Sequence, residues 1–149
     1  MALLQLEYRK IERADVEKIF RLGESEFAHP TQYSWDWSIP KVESYLDEES
    51  GSGIVCTGRE ELVGFVLAEN NYSRQRPNVA WLTYLMVHPN YERNGIGQTL
   101  LEKIKDVLKS KGITEVITDI FEDNELSLRF FHKQGFSVKK KWFILARDI

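Results

Sequence analysis

The sequence predicts a mixed α/β domain, on three observations. Short apolar strands alternate with amphipathic stretches, a strand runs directly into a glycine-led helix, and no repeat or linker divides the chain. At 149 residues the chain suits one domain spanning 1–149, long enough to bury a core without disulfides or metals.

The elements follow in order. Gln5 to Ile11 alternates in a strand-like way through Leu6 and Tyr8. Asp15 is placed as an N-cap, with Val16, Ile19 and Phe20 at helical spacing behind it. A polar and aromatic stretch runs from Glu24 to Trp37. Pro40 then opens a second helix, with Val42, Tyr45 and Leu46 on one face. Gly53–Thr57 and Leu62–Glu69 read as a hairpin joined through Gly58 to Glu61, and Asn70 to Asn78 as a loop.

Val79–Val87 is apolar and nearly uncharged, which predicts a strand covered on both faces. After a polar connection, Ile96, Leu100, Leu101, Ile104, Val107 and Leu108 form a stripe at helical period. Gly112 ends that helix, with Lys109 and Lys111 suited to its negative end. Glu115–Ile120 reads as a strand and Asn124–Gln134 as a short helix closed by Gly135, with Phe136 folding back on Phe131. Val138–Lys140 and Trp142–Ala146 are expected as two final strands.

Composition excludes several function classes. A net charge of −3 and no basic stripe argue against nucleic acid. No apolar run reaches the roughly 18 residues of a membrane helix, and the amino terminus does not read as a secretory signal. The single cysteine, Cys56, permits no internal disulfide and fits a reducing compartment, so a cytoplasmic protein is expected. His29, His88 and His132 lack ligand spacing, and no metal is expected.

The chemistry concentrates in Leu85-Met86-Val87-His88-Pro89-Asn90-Tyr91-Glu92-Arg93-Asn94-Gly95-Ile96-Gly97-Gln98-Thr99. Unpaired amides at a helix start point outward, and the helix dipole favours an anion there. Gly95 and Gly97 lack the Cβ atoms that would hold a phosphate away. The segment Arg93, Asn94, Gly95, Ile96, Gly97, Gln98, Thr99 is therefore a candidate diphosphate cradle. Such a glycine pair alone also serves a plain tight turn. A P-loop would need a lysine before the helix, and the dinucleotide fingerprint a third glycine near Leu100; neither is present.

This segment resembles the central motif of the GNAT superfamily of N-acetyltransferases: a strand ending Leu-x-Val, then Arg/Gln-x-x-Gly-x-Gly/Ala at a helix start. Glu92 stands where the family usually has Arg or Gln, with Arg93 one residue later. A second family motif, Asn-x-x-Ala-x-x-Phe-Tyr-x-x-x-Gly-Phe, is matched by Asn124, Ser127, Phe130, Phe131, Gly135 and Phe136. The resemblance implies a mixed, mostly antiparallel sheet of six to seven strands flanked by about four helices.

It also implies acetyl-CoA as co-substrate and transfer of acetyl to a primary amine by direct attack in a ternary complex. Candidate acceptors are a protein N-terminus, a lysine or a small-molecule amine. Leu85, Met86 and Val87 would offer backbone groups to the pantetheine arm and thioester carbonyl, Val87 as the oxyanion donor. Asn124, with Ser127 and Phe131 beside it, would line the arm, although asparagine is equally a good N-cap. Phe131 stands where the family commonly has a proton-donating tyrosine. The thiolate then leaves unaided, is protonated through Tyr84 or water, or is never released.

That last reading describes a rival protein class, a non-catalytic acyl-CoA-binding or sensing module. Glu69 and Asp119 are candidate general bases, each with a plain structural alternative. Phe27, Tyr33, Trp35 and Trp37, near His29, are candidates for an acceptor wall, or simply cap an open core edge. Cys56 lies in an apolar strand without a histidine nearby, so no covalent intermediate is expected. A monomer or homodimer suits the chain.

Overall fold

The computed structural model describes residues 5–28 and 36–149. Contacts divide the chain into two units, residues 1–118 and 119–149.

The first unit is built on a five-stranded sheet. Strands β1 (Leu6–Lys10), β2 (Gly51–Gly58), β3 (Glu61–Glu69), β4 (Val79–Val87) and β5 (Glu115–Ile117) lie in sequence order. The first three pairings are antiparallel, and β4 with β5 is parallel. The β2–β3 connection is a two-residue turn, Arg59-Glu60, with φ of 53° and 67°. Positive φ at both positions matches the twist of the flanking strands, although neither residue favours it.

Helices α1 (Val16–Phe27) and α2 (Ile39–Glu43) cover one face. Val16, Ile19, Trp37, Val42 and Tyr45 pack there on Val55, Phe65, Leu67, Tyr84 and Met86. Helix α3 (Ile96–Ser110) contacts β2, β3 and β4 through buried Ile96, Leu100, Leu101, Ile104 and Leu108. Burying each such side chain contributes roughly 1.5–3 kcal/mol. Gly64 on β3 lets the head of α3 close in: a Cβ there would lie 3.1 Å from the Met86 carbonyl and 3.2 Å from Leu100. Because Gly64 pairs with Val87, the contact fixes the helix start beside the end of β4.

The elements depart from expectation in four places. Helix α1 runs on to Phe27 rather than ending before Glu24. The Asp15 side chain does not cap α1; it accepts from the Glu12 amide at 2.7 Å and from the Arg9 guanidinium. β5 stops at Ile117, short of Ile120. Val138–Lys140 and Trp142–Ala146 are not strands, so the sheet has five strands rather than six to seven. Their β-formers have no ladder partner among the described residues, and Trp142, Phe143, Ile144 and Leu145 stand exposed.

In the second unit, α4 (Glu125–Lys133) is capped by Asn124, whose Oδ1 accepts from the Ser127 amide at 3.2 Å. It ends as expected. Gly135 has φ 91°, its amide donates to the His132 carbonyl, and the Phe136 amide donates to the Phe131 carbonyl, both at 3.0 Å. The ring of buried Phe131 lies edge-on to Phe130 and Phe136, each at 5.1 Å.

Candidate active site

The strand–loop–helix junction is assembled from local turns. His88 Nδ1 accepts from the Asn90 amide at 3.1 Å and opens a single turn at Pro89–Tyr91. The Asn94 side-chain amide donates to the carbonyls of Tyr91 and Glu92 at 2.9 and 3.2 Å. Arg93 and Gly95 then adopt φ of 66° and 73°, turning the chain into α3. Only glycine does this without cost, and Arg93 carries about 1–2 kcal/mol of strain.

Thr99 supplies the first helical bond, its amide donating to the Gly95 carbonyl at 3.0 Å. The amides of Ile96, Gly97 and Gln98 consequently have no acceptor among the described residues. No acidic side chain occupies the first helical turn, and Glu92 and Arg93 are exposed with no ion pair among the described residues. Three free amides at the positive end of a 15-residue helix fit a diphosphate.

The edge of β4 toward β5 is open along most of its length. Only Val79, Ala80 and Trp81 pair with β5, at Glu115, Val116 and Ile117. The Thr118 hydroxyl donates to the Leu82 carbonyl at 2.9 Å, and beyond it no strand of the described residues pairs with β4 on that side. Leu85, Met86 and Val87 lie on this free stretch, while β3 holds them from the other side through Val66, Phe65 and Gly64.

A bulge re-aims the middle of β4. Leu67 pairs with Tyr84 and Ala68 with Leu82, which leaves Thr83 without a partner on β3. The Thr83 hydroxyl donates to the Leu67 carbonyl and accepts from the Tyr45 phenol. Tyr84 turns into the core, only 2% exposed, with Phe27 and Trp37 each 4.8 Å from its ring. The proton-donor role considered for Tyr84 therefore falls on a side chain packed in the core.

Glu69 sits where the sheet forks. It pairs across the ladder with Trp81, the last β4 residue still joined to β5. Its Oε1 accepts from Lys41 Nζ on α2 at 2.6 Å, and its second oxygen has no partner among the described residues. The carboxylate lines a shallow depression of about 210 Å³ with Ser44, Tyr45, Ser50, Gly51 and Asn71.

The remaining candidates are placed as follows. Phe27 and Trp37 belong to the aromatic core, where the Trp37 indole donates to the Phe20 carbonyl at 3.0 Å. His29, Tyr33 and Trp35 lie outside the described residues. Asp119, Asn124, Ser127 and Phe131 belong to the second unit; Asp119 is half-buried and lies beyond the end of β5. Cys56 is fully buried, and burial pushes its thiol above the ordinary value, opposite to what a nucleophile needs. Among the described residues there is no cluster able to hold a metal ion, and no helix long and apolar enough to cross a membrane.

Sequence reading missed the Thr83 bulge, the Tyr45 phenol that reaches it and the Lys41–Glu69 pair. All three join distant segments, and only Pro40, which marks the start of α2, points toward them.

A family profile described as "Acetyltransferase (GNAT) family" matches residues 16–136. Over 91% of both chains, the sequence is 26% identical to spermidine N(1)-acetyltransferase of Thermoplasma acidophilum. It is also 26% identical to glucosamine 6-phosphate N-acetyltransferase of Trypanosoma brucei brucei, over 93% of this chain and 94% of that one. The solved structure of aminoglycoside N-acetyltransferase AAC(6')-Iy in complex with CoA superposes with a TM-score of 0.80. It is 17% identical and covers 99% of this chain and 98% of that one.

Proposed function

Because this chain belongs to the acetyltransferase (GNAT) family, and so is an N-acetyltransferase with acetyl-CoA as co-substrate, we propose that it acetylates the primary amine of a small molecule by direct attack. The relatives named for spermidine, glucosamine 6-phosphate and aminoglycosides support a small-molecule acceptor.

The observation that carries this reading is the free edge of β4, which connects two features. At one end stand the unpaired amides of Ile96, Gly97 and Gln98; at the other, the bulge at Thr83 and the Glu69 carboxylate. From Val87 back to Thr83 the strand spans about 13 Å, enough for an extended thioester arm. The diphosphate rests on the amides, and Leu85, Met86 and Val87 offer backbone groups to the arm. A backbone amide here polarises the thioester carbonyl, a contribution of about 3 kcal/mol in comparable sites.

Glu69 is the base on this reading. The acceptor ammonium gives one proton to its free oxygen, while Lys41 holds the other oxygen and keeps the carboxylate in place. The freed amine attacks the thioester carbonyl, the new C–N bond forms, and the C–S bond breaks. As the amide forms the attacking nitrogen gives its second proton to water, and the departing thiolate takes a proton back from water.

The test is release of free thiol from acetyl-CoA in the presence of a panel of small amines. Turnover above the rate without protein supports the enzyme. Tight acetyl-CoA binding without turnover on any amine supports the sensing module instead.

A further inference from the structure

The acceptor class is written in the depression beside Glu69, an inference that rests on the acetyltransferase reading above. We propose that this depression is the acceptor pocket and that it takes a compact primary amine bearing several hydroxyl groups, about the size of one sugar ring.

Position comes first. Glu69 pairs across the ladder with Trp81, the last β4 residue joined to β5, and the same Glu69 carboxylate lines the depression. Size comes second. Its volume of about 210 Å³ is below the roughly 300–1,000 Å³ of pockets for drug-sized ligands, so the guest is small.

The lining decides the chemistry. Among the described residues Glu69 is the only charged side chain on it, and its second oxygen suits an ammonium. The Ser44 hydroxyl spends its hydrogen on the Lys41 carbonyl at 2.6 Å, and Ser50 spends its own on Asp47 Oδ2 at 3.1 Å. Both oxygens therefore face a guest as acceptors. Among the described residues the Asn71 side-chain amide has no hydrogen-bond partner, and it offers both donors and an acceptor.

Such a wall matches a guest with an ammonium and neighbouring hydroxyls. An alkyl amine of the same size would leave these groups unpaired, and an alkyl polyamine would lay methylenes against them. Sites built to bond a hydroxyl discriminate strongly against analogues that lack it.

The experiment compares kcat/KM for glucosamine, cyclohexylamine and spermidine with the full chain at saturating acetyl-CoA. Glucosamine is expected to exceed both by at least about tenfold, one satisfied hydrogen bond being worth about that factor. In Asn71→Ala the ratio of glucosamine to cyclohexylamine should fall about fivefold or more. Equal or better turnover of cyclohexylamine or spermidine overturns the hydroxylated acceptor while leaving the acetyltransferase standing. An unchanged ratio in Asn71→Ala overturns the pocket. If no amine turns over, glucosamine binding to the CoA-loaded protein is read by saturation-transfer NMR. Binding that is lost in Glu69→Gln supports the pocket, and no binding overturns it.

Discussion

Thr83 closes the gap that its own bulge opens, donating to the Leu67 carbonyl at 3.1 Å while accepting from the Tyr45 phenol at 2.7 Å. Burial pushes the Tyr45 phenol far above its ordinary value, so it remains a donor at every working pH. Thr83→Val keeps the shape and removes both bonds, orphaning a carbonyl and a hydroxyl at about 1–3 kcal/mol each. Urea titration should show a loss of about 2 kcal/mol or more. A loss below about 0.5 kcal/mol would mean the bulge is held by packing alone.

The head of α3 separates backbone cost from ligand cost. Gly95 sits at φ 73° with no heavy atom within 4 Å of an added Cβ. Gly95→Ala should therefore lose about 1–2 kcal/mol through strain, without a steric clash. Gly97→Glu puts bulk and negative charge against the free amides. Calorimetry should find its CoA affinity at least tenfold weaker, while its melting temperature stays within a few degrees. Unaltered affinity in this variant would place the diphosphate elsewhere.

Much of this architecture is legible in local pattern. Val79–Val87 matches β4 residue for residue, and the stripe from Ile96 to Leu108 is the buried face of α3. What pattern does not carry is pairing. The Thr83 bulge exists only because β3 and β4 fall out of step, and nothing in Leu82-Thr83-Tyr84 announces it. Glu69 could be proposed as a base from its place in a strand, but Lys41 lies 28 positions away and marks only the start of another helix. Trp142 to Leu145 has the composition of a strand but no ladder partner among the described residues, so β propensity alone misleads there. Arg59-Glu60 is the reverse case: a tight hairpin turn formed without the asparagine or glycine that would signal it.

Asp15 gives the fold an acid-sensitive clasp between β1 and α1. Its buried carboxylate accepts from Arg9 at 2.7 and 2.9 Å and from the Glu12 amide at 2.7 Å. Burial alone would raise its pKa; the Arg9 and Glu12 hydrogen bonds outweigh that and hold it below the ordinary carboxylate value. A depressed folded pKa means stability present above the unfolded value of about 3.9 and lost as pH falls through the folded one. Asp15→Asn should cost about 1.5–3 kcal/mol at pH 7. Below about pH 4 the difference from the parent should shrink, as the parent loses the clasp too. A gap between the two proteins that stays constant from pH 7 to pH 3 would show that Asp15 acts by shape and not by charge.

Lys111 ties the far end of α3 to the rim of the acceptor depression. Its ammonium donates to the carbonyls of Glu48 and Gly51 at 2.8 and 3.2 Å and to Ser52 Oγ at 2.9 Å. The Asn70 side-chain amide donates to the carbonyls of Glu48, Glu49 and Gly51, and its own oxygen accepts from the Ser52 hydroxyl at 2.7 Å. Together these two side chains hold the segment 48–52, which carries Ser50 and Gly51 into the depression. Lys111→Met keeps most of the stem and removes the three donors, at a stability cost of about 1–3 kcal/mol. Lys111 is remote from the free amides of Ile96, Gly97 and Gln98, at the opposite end of a 15-residue helix. Acceptor KM should therefore rise severalfold while the calorimetric affinity for CoA is retained. Equal losses in both would mean the substitution acts on the whole fold, and no change in acceptor KM would detach this rim from the pocket.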